Sequence, residues 1–192
     1  MVEAQCTILF FVRLFVAIDI PEEVKVGLRA LVDRLRPLAK LTWSPIENLH
    51  ITTKFIGEWP EPRLAEVETV LRAVRPPGAI RIAVRGLGWF PNARNPRVFW
   101  AGIGLSEKLS RLAGETEKAL ETIGVPLEQR AFHPHLTLAR RRDPVPVEKL
   151  RAAVAEHESD DFGSFLADAF ILYWSVGGRY KKLQEFPLAS AS

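Results

Sequence analysis

Two short stretches carry side chains able to do proton chemistry, His50-Ile51-Thr52 and His135-Leu136-Thr137. Each is a histidine followed two residues later by a threonine. An unperturbed imidazole titrates near 6.5, so it can act as acid or base around neutral pH. Two imidazoles converging on one phosphorus atom supply both halves of an in-line displacement, one activating the nucleophile and the other protonating the leaving oxygen. A threonine hydroxyl beside each ring can donate to a non-bridging phosphate oxygen, and Lys54 or Arg140 would add positive charge. Either motif alone reads first as a structural histidine on a strand. Its recurrence at equivalent places in two halves is what points to function.

Both motifs must sit on strands. Side chains alternate along a strand, so His50, Thr52 and Lys54 fall on one face, with about 7 Å between an imidazole and its threonine. Ile51, Phe55, Leu136 and Leu138 fall on the opposite face and are expected in the core.

The two histidines stand 85 residues apart, and the same offset lays Pro21 on Ser106, Val12 to Ile18 on Arg97 to Ile103, Pro62 on Val147 and Ile80 on Phe165. An internal duplication follows, each half reading strand, helix, His-x-Thr strand, helix, strand. The expected organisation is an N-terminal extension over 1–11 and a single domain over 12–192. That domain has two pseudo-symmetric lobes, about 12–90 and 97–187, with strand exchange between them as one arrangement.

The patterning supplies the elements. Val12 to Asp19 reads as a strand buried on both faces, and Pro21 opens a helix whose stripe is Leu28, Leu31, Val32 and Leu35. Leu41-Thr42-Trp43 reads as a short edge strand, and Gly57 is expected to break the first motif strand. A second helix spans about Pro62 to Val74, and Ile80, Ile82 and Val84 alternate with Arg81, Ala83 and Arg85 as a strand. Residues 90–96 form a loop between the halves. Val98 to Ile103 is a strand, Ser106 caps a helix ending at Gly124, and Pro144 and Pro146 introduce a helix through Leu150 and Val154. Phe165 to Ser175 reads as one long strand, with Gly177-Gly178 turning into a return strand from Arg179.

Composition sets limits. With 47% hydrophobic and 26% charged residues in 192, the chain is an ordinary globular one. The apolar run over 7–20 is short for a membrane span and is interrupted by Arg13 and Asp19. One cysteine, Cys6, excludes an internal disulfide framework and fits a cytoplasmic protein. A net charge of +3 suits a phosphate-bearing partner, with basic clusters at Arg140-Arg141-Arg142, at Arg179, Lys181 and Lys182, and at Arg94 and Arg97. The rival reading is a metal site, since His133 and His135 share a face. No cysteine or acidic cluster stands beside them to complete a ligand set. His157 reads as a surface residue.

At Arg13-Leu14-Phe15-Val16-Ala17-Ile18-Asp19, Glu47-Asn48-Leu49-His50-Ile51-Thr52, Pro96-Arg97-Val98-Phe99-Trp100-Ala101-Gly102 and Pro134-His135-Leu136-Thr137-Leu138-Ala139-Arg140, the sequence resembles the two-histidine (2H) phosphoesterase superfamily. Within it, the chain resembles the RNA 2′,3′-cyclic phosphodiesterase branch, historically called 2′-5′ RNA ligases. The resemblance implies an α+β, bilobal duplicated fold with two antiparallel sheets flanked by helices around a central cleft. It implies metal-independent opening of a terminal 2′,3′-cyclic phosphate to a 2′-phosphate, with no cofactor and no membrane. The implied partners are RNA ends or small cyclic nucleotides, and the implied state is a monomer. Carried onto this chain, His50 is the proton donor, His135 the proton acceptor, and Thr52 and Thr137 hold the phosphate. Lys54, Arg130, Phe132, His133, Arg140 and Tyr180 are further candidates for substrate contact. Base stacking by Phe132, Trp43 or Tyr180 stands beside a plain core role for each. Thr53 and His133 depart from the family pattern, at places where an apolar residue and an arginine are usual, and Ser175 to Tyr180 is shorter than in many relatives. The alternatives are a 2′-5′ ligase of tRNA halves and an RNA-end-binding module without turnover.

Overall fold

The structure, a computed structural model, describes residues 10–188. Nine strands and four α-helices follow one another as β1 (Phe11–Asp19), α1 (Glu22–Leu35), β2 (Thr42–Trp43), β3 (His50–Pro60), α2 (Leu64–Arg72), β4 (Ile80–Phe90), β5 (Val98–Ile103), α3 (Glu107–Glu121), β6 (His135–Arg140), α4 (Glu148–Ala155), β7 (Asp161–Ala167), β8 (Ala169–Val176) and β9 (Arg179–Pro187). They form an α+β fold with two antiparallel sheets, ordered β3-β1-β8-β9 and β2-β6-β5-β4-β7. The strand that closes each half crosses to the sheet of the other half. Thus β4 pairs with β5, and β8 pairs with β1.

The helices form where an apolar stripe meets a terminal signal. In α1 the buried residues are Val24, Leu28, Leu31, Val32 and Leu35, with Glu22 and Glu23 in the first turn and Arg34 in the last, matching the helix dipole. The Ser106 hydroxyl accepts the Leu109 N–H and caps α3. One core runs between the sheets and helices, from Leu14, Val16 and Ile18 of β1 through Leu28 and Leu31 to Ile80, Ile82, Phe99, Leu136 and Leu138. Each such side chain, removed from water, is worth about 1.5–3 kcal/mol. The other face of β1 carries Phe15 and Ala17, which pack with Ile171 and Tyr173 in a separate small cluster. That second cluster is why β1 lacks alternation. Among the described residues no helix is long and apolar enough to cross a membrane.

A β-bulge falls at the same place in both motif strands. Val16 pairs with Lys54 and Ala17 with Thr52, leaving Thr53 extra; Phe99 pairs with Ala139 and Trp100 with Thr137, leaving Leu138 extra. A bulge reverses the alternation beyond it. Two expectations are thereby corrected. Lys54 does not share the face of His50 but turns inward, 6% exposed, and Phe55 is not core but 60% exposed. Thr53, 7% exposed, donates its hydroxyl hydrogen bond to the Val16 carbonyl at 3.2 Å. The same reversal in β6 leaves Arg140 exposed.

Other corrections are local. Gly57 does not end β3, which runs on to Pro60; its positive φ of 84° instead marks a second irregularity in the ladder with β1. The long strand expected from Phe165 is two strands, because β7 pairs with β4 while β8 pairs with β1, and Asp168 lies between them. Pairing Phe15 with Phe55 and Val98 with Arg140 makes Phe15 equivalent to Val98, two residues from the expected correspondence. The expected extension falls outside the described residues for 1–9, whereas Phe11 is the first residue of β1, paired with Pro60.

Candidate active site

The sheets bring β3 and β6 together, with Cα atoms of the two strands within 8 Å of one another. Each motif histidine is fixed in the same way. His50 Nδ1 lies 2.7 Å from the Asn48 carbonyl and His135 Nδ1 lies 2.8 Å from the His133 carbonyl. A carbonyl only accepts, so Nδ1 carries the hydrogen in each ring and Nε2 is the atom left for chemistry. Thr52 and Thr137 are half-buried, and among the described residues neither hydroxyl has a protein hydrogen-bond partner.

Each ring also rests on aromatic side chains. His50 packs against Phe15 at 4.7 Å between centroids with the rings tilted by 30°, meets Tyr180 edge-on at 5.0 Å, and lies 6.2 Å from Tyr173. His135 meets Phe90 edge-on at 4.9 Å, and Phe90 packs on Trp100 at 5.2 Å. Tyr173 and Phe90 occupy equivalent positions, since Tyr173 pairs with Phe15 and Phe90 with Val98. The crossing strands β8 and β4 thus each place an aromatic beside the histidine of the neighbouring half. A Cβ on Gly88 would come within 2.2 Å of the Trp100 ring, so glycine there makes room for Trp100. An open pocket beside His135 is lined by Phe90, Trp100, Gly102, His133 and Arg85.

Burial disfavours the charged form of both imidazoles and holds both below their ordinary range. At His50 this is opposed by the hydrogen bond to Asn48 and by the charge of Asp19, and reinforced by His135 and Arg140. At His135 it is opposed by the bond to His133 and reinforced by Arg140 and by the His133 ring. The charges of His135 and Arg140 thus bear on His50, and that of Arg140 bears on His135 as well. Asp19 itself accepts the Tyr173 hydroxyl and ion-pairs with Lys182.

The remaining candidates divide. Tyr180 and Arg140 stand with the histidines, and His133 lines the pocket beside His135. Lys54 is engaged elsewhere, with Nζ 2.7 Å from the Glu117 carboxylate on α3 and 2.7 Å from the Pro126 carbonyl. Phe132 and Trp43 pack against the core. Arg130 is exposed on the loop before β6, its backbone N–H held by the Glu128 carboxylate. His157, read as a surface residue, is half-buried and bonded through Nδ1 to Asp160 at 2.8 Å. Sequence reasoning missed Phe15, Tyr173, Phe90, Trp100 and Asp19. Among the described residues no group of three or more His, Cys, Asp or Glu is placed to hold a metal ion.

Comparison with known proteins agrees with this geometry. The family described as LigT like Phosphoesterase matches residues 18–100 and 103–170. The RNA 2′,3′-cyclic phosphodiesterase of Aeropyrum pernix is 38% identical over 150 residues, covering 76% of this chain and 85% of that protein. The protein of the same name from Methanocaldococcus jannaschii is 33% identical over 178 residues, covering 91% and 99%. Among solved structures, TT0787 of Thermus thermophilus superposes with a TM-score of 0.77 at 31% identity over 92% of this chain and 97% of that one. E. coli LigT complexed with 3′-AMP shares the fold, with a TM-score of 0.74 at 24% identity over 94% and 100%.

A duplicated two-sheet fold with paired histidine–threonine strands is that of the two-histidine phosphoesterases. Within that class, the chain belongs to the LigT-like phosphoesterase family.

Proposed function

We propose that this protein is an RNA 2′,3′-cyclic phosphodiesterase that hydrolyses a terminal 2′,3′-cyclic phosphate to a 2′-phosphate. His135 Nε2, with its lone pair, takes the proton of a water molecule as the water oxygen attacks phosphorus. His50 Nε2–H gives its proton to the departing O3′, so the P–O3′ bond breaks as the new P–O bond forms and the charge balances. Thr52 and Thr137 donate to the non-bridging oxygens, and Arg140 offsets the negative charge that builds there. No step calls on a metal ion, and the rate is expected to be indifferent to EDTA.

The observation that carries this reading is the twofold anchoring of Nδ1 by a carbonyl two residues back. It fixes two neighbouring rings in one tautomer, each with Nε2 unengaged. The assignment of donor and acceptor is supported by Asp19, whose negative charge favours a protonated ring at His50 and not at His135. Equivalent ladders around the two motifs support treating 12–90 and 97–187 as pseudo-symmetric lobes of one domain. The enzyme is taken to act as a monomer in the cytoplasm. Incubation with a 2′,3′-cyclic mononucleotide and with an oligonucleotide ending in the cyclic phosphate is the test. A 2′-monoester product is expected from both; a 3′-monoester, or no turnover, would overturn the reading.

A further inference from the structure

The sequence sets two arginine clusters apart, Arg94 and Arg97 in one loop and Arg140-Arg141-Arg142 after the second motif, and the fold joins them. The Arg141 N–H donates to the Arg97 carbonyl at 2.8 Å, and Val98 pairs with Arg140 across the ladder. Asn92 Oδ1 accepts the N–H groups of Arg94 and Asn95 at 3.0 and 3.1 Å, which shapes the loop that carries Arg94. Arg94, Arg97 and Arg142 are exposed.

Among the described residues none of these three guanidinium groups takes part in an ion pair, although Arg29, Arg63 and Arg72 elsewhere on the surface all do. The acidic residue nearest in sequence, Asp143, is paired with none of them. The other basic cluster is differently disposed, since Lys182 is tied to Asp19 and Lys181 lies over the Trp174 ring at 5.7 Å. An unpaired group of guanidinium forks matches the geometry of phosphodiester oxygens.

We propose that Arg94, Arg97 and Arg142 form a ridge that binds the phosphodiester backbone of a single-stranded RNA whose cyclic-phosphate end lies between His50 and His135. This rests on the function proposed above. Arg140 acts back on the histidines from the far end of β6, whereas Arg97 and Arg142 lie beyond that end, past about 17 Å of strand from His135, and stacked nucleotides advance about 3.4 Å each, so the ridge is reached by about the fifth nucleotide from the end. A cyclic mononucleotide or a dinucleotide never touches it. Oligonucleotides gain affinity over the first few nucleotides and then level off.

Steady-state kinetics on a 2′,3′-cyclic mononucleotide and on a decanucleotide ending in the cyclic phosphate test the ridge in the wild type, in the R94A/R97A/R142A variant and in the R94K/R97K/R142K variant. Mononucleotide turnover should be the same in all three. With the decanucleotide, KM should rise about tenfold in the alanine variant, and the slope of log KM against log salt should fall by about 2, since each lost phosphate contact on a single strand removes about 0.7. The lysine variant should keep the wild-type slope. An unchanged KM and slope in the alanine variant would overturn the proposal, and so would an equal loss on both substrates. If the wild type turned over neither substrate, the proposed function would fail by itself. The ridge would then be judged by fluorescence anisotropy of a labelled decanucleotide, with weaker binding to the alanine variant supporting it and unchanged binding overturning it.

Discussion

Asp19 stands directly across the β1–β3 ladder from His50, and the residue in the same position across from His135 is Gly102. A near-symmetric pair of motifs is thereby given unequal electrostatic surroundings. The carboxylate favours the protonated form of His50, while Lys182 and the Tyr173 hydroxyl, both bound to it, moderate its charge. Burial, reinforced by the neighbouring Asp19 carboxylate, pushes the pKa of the Tyr173 hydroxyl far up, so it stays protonated and a donor across the working range.

The pH dependence follows with its sign. Both rings are held below the ordinary value of about 6.5, so the bell in kcat/KM of the free enzyme should peak on the acid side of that value. With His50 as the acid, its titration gives the basic limb. Replacing Asp19 by Asn removes the charge that favours the imidazolium, so the basic limb should move to lower pH and the bell should narrow. Lys182→Met removes the cation paired with Asp19, leaving only the Tyr173 hydroxyl on it, and should move the same limb to higher pH. Because the rings interact, the limbs belong to the pair, and the comparison is which limb moves more. A shift confined to the acid limb would reverse the two roles.

Arg140 acts on both rings in the same direction. Its charge lowers each, so Arg140→Ala should carry both limbs to higher pH without narrowing the bell. KM for a cyclic mononucleotide should rise about tenfold as a charge near the phosphate is lost. Kinetics across a pH series distinguish this pattern from that of the Asp19 variant.

Replacing His50 or His135 by alanine removes a proton carrier and should lower kcat by about 10² to 10⁴, the range of general acid–base contributions. The backbone carbonyls of Asn48 and His133 lose their partners, but both sites are reachable by water. Circular dichroism should therefore report an intact fold. Near-wild-type turnover in either variant would leave that ring without the role assigned to it.

Lys54 belongs to stability. Its ammonium group bridges the Glu117 carboxylate and the Pro126 carbonyl, and Glu117 also accepts the Glu128 N–H, so β3, α3 and the segment leading towards β6 are tied at one point. Lys54→Met strands a partly buried carboxylate and should cost about 3 kcal/mol, seen as a fall of about 6–10 °C in Tm. The kcat of the folded fraction should hold close to wild type, as Lys54 is not a phosphate ligand.

The fate of Lys54 illustrates what the chain does and does not disclose when read alone. The His-x-Thr pairs, the stripe of α1 and the Ser106 cap are local patterns, and each was legible because a period or a terminal residue carries it. A bulge is a property of two strands together. Nothing at Thr53 or Leu138 announces an extra residue until β1 and β5 lie alongside, so strict alternation sent Lys54 to the site and Phe55 to the core. The aromatic floor was hidden for a related reason: Phe90 and Tyr173 reach the histidines only because β4 and β8 cross to the other sheet. The change of sheet between β7 and β8 comes at Ala167-Asp168-Ala169, which carries neither glycine nor proline. Phe55, which the alternation misplaced, turns out to be the equivalent of Arg140, an exposed aromatic in one half and a cation in the other.

Thr52 and Thr137 offer the most direct check on what the motif pair is for. Both hydroxyls are half-buried and without protein partners among the described residues, so replacing either by valine, which keeps the β-branched shape, leaves no stranded hydrogen-bonding group. Stability should change by less than about 0.5 kcal/mol. If each hydroxyl donates to an oxygen on which charge grows as phosphorus is attacked, kcat should fall about tenfold to a hundredfold in each valine variant. Thr→Ser retains the donor and should recover most of the rate. Were the valine and serine variants to lose activity alike, the methyl group and the packing it provides would be the operative feature, and the hydroxyl would have no part in holding the phosphate.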